Sequence, residues 1–231
     1  MRKPKDLFIN KNKKVLLFFT GGLDSTYLLW KNLEMGNSVW PVYVEIENNT
    51  NKTQIEQQQT KYIWSLLKDK YPDQLKEIDF LNKIKISGGG TVSLPQAPLW
   101  ILFALYAQDV EMHDEVQIGY VQDDAVTASY LKDMEKMYYS FLPLTNGLVD
   151  LVFPLRKKAK YHMIKELPED IFNAIIICED PEIKPYKISN AFEYNWNKED
   201  YRFWKPCGYC DKCKKIKQLS SYCKIIYYTK R

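Results

Sequence analysis

The sequence has no long hydrophobic run, no large excess of either charge, and only two histidines in 231 residues. Each shortage excludes something. The longest apolar stretch, around Leu99–Ala107, is interrupted by Gln108 and Asp109 and is too short to cross a bilayer. The opening Met1-Arg-Lys-Pro-Lys-Asp is basic but lacks the apolar centre of a secretory signal. A cytoplasmic protein with no membrane partner is the expectation. The formal net charge of +4 suits a polyanionic ligand without requiring nucleic acid, and stable nucleic-acid binding is not expected. Five cysteines in a chain of this length, with no export signal, fit a reducing compartment and argue against a disulfide framework. No cysteine has the local context of a nucleophile with a nearby histidine. There is no internal repeat and no low-complexity tract.

What is present starts at Val15-Leu-Leu-Phe-Phe19, an apolar run that reads as a buried strand. Thr20-Gly-Gly-Leu-Asp-Ser-Thr26 follows it, and Tyr27-Leu-Leu-Trp30 reads as the start of a helix. Strand, glycine loop and helix N-terminus together form an anion-binding arrangement. Gly21 and Gly22 let backbone N–H groups approach a phosphate closely, while Thr20, Ser25 and Thr26 add hydroxyls. The loop has neither the lysine of a Walker A motif nor the G-x-G-x-x-G pattern. Asp24 either caps the helix or helps to hold Mg²⁺.

Cys207-Gly-Tyr-Cys210-Asp-Lys-Cys213 is a C-x2-C-x2-C cluster with the spacing of a tetrahedral zinc site. Cys178, at the end of Ile175-Ile-Ile177, is the preferred fourth ligand, with Cys223 as the competitor. His113 and His162 are weaker choices. Four thiolates would make a closed, structural site. Cys178 also reads simply as a small buried hydrophobe.

The remaining pattern alternates strands and helices, which implies a parallel sheet covered on both faces. Strands are expected at Lys14–Phe19, Val39–Ile46, Leu75–Ile86, Val116–Tyr120, Val149–Phe153 and Ala174–Cys178. Helices are expected at Asp24–Met35, Thr53–Lys70, Pro98–Asp109, Ala125–Phe141 and Lys160–Leu167, with Gly36 closing the first. Residues 1–177 would form the nucleotide-binding domain and residues 178–231 a small zinc-binding subdomain.

Thr20-Gly-Gly-Leu-Asp-Ser resembles the S/T-G-G-x-D-S/T signature of the PP-loop ATP pyrophosphatases. With the cysteine cluster, Gly119 and Asp124 (G-x4-D), and Pro154-Leu155 before Lys160 (P-L-x4-K), most of the chain resembles the 7-cyano-7-deazaguanine synthase (QueC) family. The resemblance implies a Rossmann-like sheet of the adenine-nucleotide-hydrolase type, ATP and Mg²⁺ at the loop, and structural Zn²⁺ at the cysteines. The implied reaction is ATP-dependent carbon–nitrogen ligation. A deazaguanine-like carboxylate is adenylated, ammonia gives the amide, and a second activation gives the nitrile; a homodimer is compatible with this.

Residue by residue, Asp24, Ser25 and Lys160 would be catalytic, with Lys160 either neutralising phosphate charge or solvated at a helix start. Phe18, Phe19, Thr20, Gly21, Gly22, Leu23, Asp24, Ser25 and Thr26 would surround the nucleotide. Tyr43 and Val44, at the end of the second strand, would pack against adenine or in the core. Gly119 and Asp124 would face the acceptor, Asp124 serving alternatively as a helix cap beside Asp123. Of Arg156, Lys157 and Lys158, at least two read as solvated.

The sequence departs from the family on the acceptor side. Val92-Ser-Leu-Pro-Gln-Ala-Pro98 replaces an Arg-Asn pair, no Y-P-D-C-R run follows Asp124, and an aromatic-rich insertion spans 186–204. The alternatives are another PP-loop enzyme that adenylates or thiolates tRNA, or a QueC-like component of a phage or antiviral system with a different acceptor. Lys212, Lys214, Lys215, Lys217 and Lys224 beside the cysteines read as an RNA contact in the first case and as a solvated basic face otherwise.

Overall fold

The structure is a computed structural model and describes residues 9–46, 50–84, 97–107, 113–121, 125–145, 149–175, 177–178, 181–183, 204–205 and 207–214. A five-stranded sheet forms its centre, built from β1 (Lys14–Phe18), β2 (Ser38–Ile46), β3 (Asp79–Ile84), β4 (Glu115–Gln117) and β5 (Asp150–Val152). The order is β3-β2-β1-β4-β5 and every pairing is parallel. This is the Rossmann-like α/β architecture that the alternating pattern implies.

β1 is apolar on both faces because both are covered. Val15, Leu17 and Phe19 join one core cluster with α1 (Leu23–Glu34), α2 (Thr50–Lys70), α5 (Lys160–Glu166) and α6 (Glu169–Ala174). Leu16 and Phe18 join a second cluster with α3 (Ala97–Ala107) and α4 (Ala125–Phe141). Residues alternate between the faces of a strand, so a centre strand under two helical layers must be hydrophobic at every position. Gly36, at φ +83°, follows the end of α1 and supplies the left-handed turn that releases the chain into β2.

Successive connections run outward from β1 to β2 and β3, then jump back across to β4 on the other side of β1. The carboxyl ends of β1 and β4 therefore flank a topological switch point, where open α/β sheets bind ligands.

Two strand expectations are corrected. The third strand starts at Asp79, not Leu75; Leu75 makes only an isolated parallel bridge to Val39. No strand is found at Ala174–Cys178 among its described residues. Glu169–Ala174 is helical, and Ile175 and Ile177 after it are buried in the α1/α2 side of the core. Gln59 Nε2 on α2 donates to Ala174 O at 3.0 Å, so side-chain packing and capping, not a sheet ladder, hold this stretch. A short apolar run reads alike in both settings. Farther on, β6 (Glu182–Ile183) and β7 (Trp204–Lys205) form a small antiparallel pair.

Candidate functional site

The glycine loop leaves the carboxyl end of β1 at the switch point. Phe19 N still donates to Val42 O at 2.8 Å, and the chain then turns at Gly21, where φ is +69°. A Cβ on Gly21 would lie 3.2 Å from Thr60 Oγ1 and 3.3 Å from Thr60 N, on α2. Both conformation and space therefore require glycine here. Gly22 is the N-cap of α1, and no side chain caps that terminus, so its amides and the positive end of the dipole face the loop.

Ser25 holds the loop in shape. Its Oγ lies 3.3 Å from Thr20 N, 3.3 Å from Thr20 Oγ1 and 3.4 Å from Gly22 O. Asp24 does not cap the helix. Its carboxylate lies 3.5 Å from Lys160 Nζ, and both side chains are about three-quarters buried. The chain thus brings together the loop and the first residue of α5, which the sequence keeps far apart.

Gly119 lies just past β4, against the first turn of α1. A Cβ there would stand 3.2 Å from the carbonyl carbon of Asp24 and 3.3 Å from Ser25 N. Its observed role is to let the β4 exit approach the loop.

The other expected nucleotide contacts are core residues. Phe18, Phe19, Leu23, Thr26, Tyr43 and Val44 are all buried. Tyr43 packs on Phe80 with ring centroids 5.7 Å apart. Burial raises its hydroxyl well above the ordinary tyrosine range, with Glu56 and Glu45 adding to the effect. Asp124 and its neighbours Gln122 and Asp123, the segment 85–96, Cys223 and most of the 186–204 insertion lie outside the described residues.

Of the basic turn before α5, Arg156 and Lys157 are exposed, and Arg156 Nη1 lies 3.9 Å from Glu135 Oε1 on α4. Lys158 is not: it is 7% exposed and its Nζ lies 2.5 Å from Glu166 Oε1. Glu166 also accepts a hydrogen bond from the buried hydroxyl of Tyr27. Burial acts to raise the Glu166 carboxyl, but the Lys158 and Tyr27 hydrogen bonds, with the charges of Lys158 and Lys31, outweigh it and hold the group below the ordinary carboxylate value. Sequence reasoning missed Glu166, Tyr27 and Thr60. An acidic residue on a short helix and a threonine in a long amphipathic one carry no signal of their partners.

Cys178, Cys207, Cys210 and Cys213 come together with their sulfurs all within 4.8 Å of one another. A tetrahedron with metal–sulfur bonds of about 2.3 Å has edges of about 3.8 Å, so the set fits one zinc-sized ion after a small contraction. A cubane iron–sulfur cluster needs its thiolates farther apart. Backbone amides support the sulfurs: Cys207 N donates to Cys178 Sγ at 3.3 Å, Cys210 N to Cys207 Sγ at 3.4 Å, and Cys213 N to Cys210 Sγ at 3.4 Å. Such donors hold metal-ligating side chains in orientation. Neither histidine joins the group among the described residues; His113 sits edge-on to Trp40 and His162 is exposed. Ile55 of α2 packs against Cys178 and Cys213. The same helix therefore carries a face of the cysteine site at Ile55 and the backing of the glycine loop at Thr60.

Three comparisons with known proteins bear on this chain. A family model described as an F-box-like domain matches residues 151–229, a stretch that includes Lys160 and the cysteine site but not the glycine loop. No curated protein matches. Among solved structures, the chain is similar to the U34-tRNA thiolase NcsA from Methanococcus maripaludis with its [4Fe-4S] cluster, at 16% identity and a TM-score of 0.40. That match covers 69% of this chain and 58% of the other, so the chain spans little more than half of that protein's length. Likeness at this level transfers no residue role. No helix among the described residues is long and apolar enough to cross a membrane.

Proposed function

We propose that the chain is an ATP-dependent carbon–nitrogen ligase of the PP-loop type, resembling 7-cyano-7-deazaguanine synthase. The observation that carries this reading is the pairing of Asp24 with Lys160 at 3.5 Å over the uncapped N-terminus of α1. Glycine loop, helix dipole and lysine converge on one spot at the carboxyl edge of a parallel sheet. Unsatisfied loop and first-turn amides together with a lysine suit a polyphosphate.

In this reading the loop amides from Gly21 onward and the first turn of α1 hold the β and γ phosphates of ATP. Ser25 keeps the loop shaped and offers its hydroxyl. Lys160 exchanges its contact with Asp24 for one with the phosphates and offsets the charge that develops on departing pyrophosphate. Asp24 supplies a carboxylate at the loop, the ligand type that Mg²⁺ takes alongside phosphate oxygens. The acceptor carboxylate attacks the α-phosphorus and pyrophosphate leaves. Ammonia then displaces AMP to give an amide; a second ATP adenylates the amide oxygen with release of pyrophosphate, and loss of AMP, which carries that oxygen away, with two protons gives the nitrile. The chain contributes mostly position and electrostatics, which suffices for transfer at phosphorus. The four cysteines would hold zinc as a closed structural site with no open position for chemistry.

The test is mass spectrometry of products after incubation with ATP, Mg²⁺, ammonia and 7-carboxy-7-deazaguanine. Amide or nitrile with AMP supports the full reading. AMP release only with a different carboxylate keeps the reaction class and replaces the acceptor. RNA that co-purifies and becomes thiolated or adenylated favours the tRNA-modifying alternative, for which exposed Lys212 and Lys214 beside the cysteine site offer a phosphate contact.

A further inference from the structure

Below the Asp24–Lys160 pair, the same two helices meet at a second polar contact. Glu166, the last residue of α5, accepts hydrogen bonds from Tyr27 Oη and from Lys158 Nζ, the latter at 2.5 Å, and Lys31 Nζ lies 4.0 Å away. Asp24, Tyr27 and Lys31 fall at i, i+3 and i+7 and so share one stripe of α1. α5 lies along that stripe, with Lys160 at its first residue and Glu166 at its last. Lys158 is buried and its Nζ sits 5.6 Å from the centre of the Tyr27 ring, so it is fixed in place and not a solvated lysine.

The turn that delivers Lys160 is therefore pinned at two points. Lys158 N donates to Leu155 O at 2.8 Å and closes the turn, and Lys158 Nζ ties it to Glu166. Two residues later Lys160 reaches Asp24. A lysine has a long, mobile side chain, and its ammonium stands where its backbone is held. Removing the Glu166 charge frees Lys158 and lets α5 shift along α1, which displaces Lys160.

We propose that Glu166 is a positioning residue that sets where the Lys160 ammonium stands at the glycine loop, acting through Lys158 and Tyr27 without touching the nucleotide. The inference rests on the nucleotide reading of the loop, and its test separates the two. MgATP binding to the full chain is measured by titration calorimetry for wild type, Glu166→Gln, Lys160→Met and the double variant, with thermal unfolding recorded for each. Lys160→Met should weaken binding by about tenfold, the loss of a charge-assisted contact. Glu166→Gln alone should weaken it by about fivefold, yet in the Lys160→Met background its further effect should stay within about twofold. A purely structural Glu166 would give losses of MgATP binding that add in the double variant, or no loss of binding at all, and either result overturns the inference; a lower melting temperature is expected on both accounts and decides nothing. If Lys160→Met binds MgATP as wild type does, the nucleotide reading at Lys160 falls and this inference falls with it. Should Glu166→Gln fail to fold, Tyr27→Phe, which removes one hydrogen bond to the same carboxylate, takes its place in the cycle under the same criteria.

Discussion

Gly119 and Asp24 touch backbone to backbone, so closely that a single methyl on Gly119 would stand 3.2 Å from the carbonyl carbon of Asp24. The contact joins the exits of β1 and β4 at the switch point and fixes the height of the α1 N-terminus above the sheet. Gly119→Ala should push that terminus away. The expected cost is about 1–3 kcal/mol of stability, as for overpacking elsewhere, together with weaker MgATP binding. Denaturant unfolding and calorimetry check the two effects; a variant with unchanged binding and stability would show that the contact relaxes freely.

Gly21 should be less tolerant still. Its φ of +69° and the nearness of Thr60 both oppose a side chain. Gly21→Ala should lower stability and abolish measurable MgATP binding, whereas Thr60→Ala, which opens the space, should restore part of the stability in the double variant. Thermal melting of the three proteins tests this coupling.

The cysteine site should hold one zinc ion per chain through Cys178, Cys207, Cys210 and Cys213. Cys178→Ser should lose zinc and Cys223→Ser should keep it, by metal analysis of the purified variants. Metal binding contributes folding energy, so a chelator should lower the melting temperature. Because Ile55 packs on Cys178 and Cys213, hydrogen exchange in α2 should rise on chelation as well.

Acid should unfold the protein partly through Glu166. Its carboxyl lies below its ordinary value of 4.5, because the contacts with Lys158, Tyr27 and Lys31 outweigh the opposing effect of burial. A depressed value in the fold means that the ionised group stabilises above the unfolded value and that this is lost as pH falls through the folded one. Asp170 acts in the same sense, burial again being outweighed, here by its 2.8 Å contact with Lys70. Glu166→Gln should therefore melt below wild type at neutral pH, with the gap closing as pH falls below the ordinary carboxylate range. A gap independent of pH would show that the charge contributes nothing.

The sheet and its helices were legible because both depend on local pattern. A continuous apolar run marked β1, and helical spacing marked α2. Gly36 ended α1 where its left-handed φ is needed. Ala174–Cys178 misled because an apolar run does not say whether a strand or a helix covers it; here Gln59 and the α2 face do. At the site, the loop and the cysteines announced themselves by spacing. Lys158 reads as one more solvated charge, and only the fold reveals its burial beside Glu166. Gly119 was legible as a residue of interest, but its role as a close backbone contact depends on a neighbour that the sequence does not place beside it.

In the proposed reaction the glycine loop holds ATP for cleavage between the α and β phosphates. The most direct measurement is chromatography of nucleotides after incubation of ATP and Mg²⁺ with the protein, ammonia and 7-carboxy-7-deazaguanine, beside the Asp24→Ala/Ser25→Ala variant. AMP and pyrophosphate are expected from wild type and neither from the variant. ADP and phosphate from wild type, or AMP formed equally by the variant, would rule the proposed cleavage out.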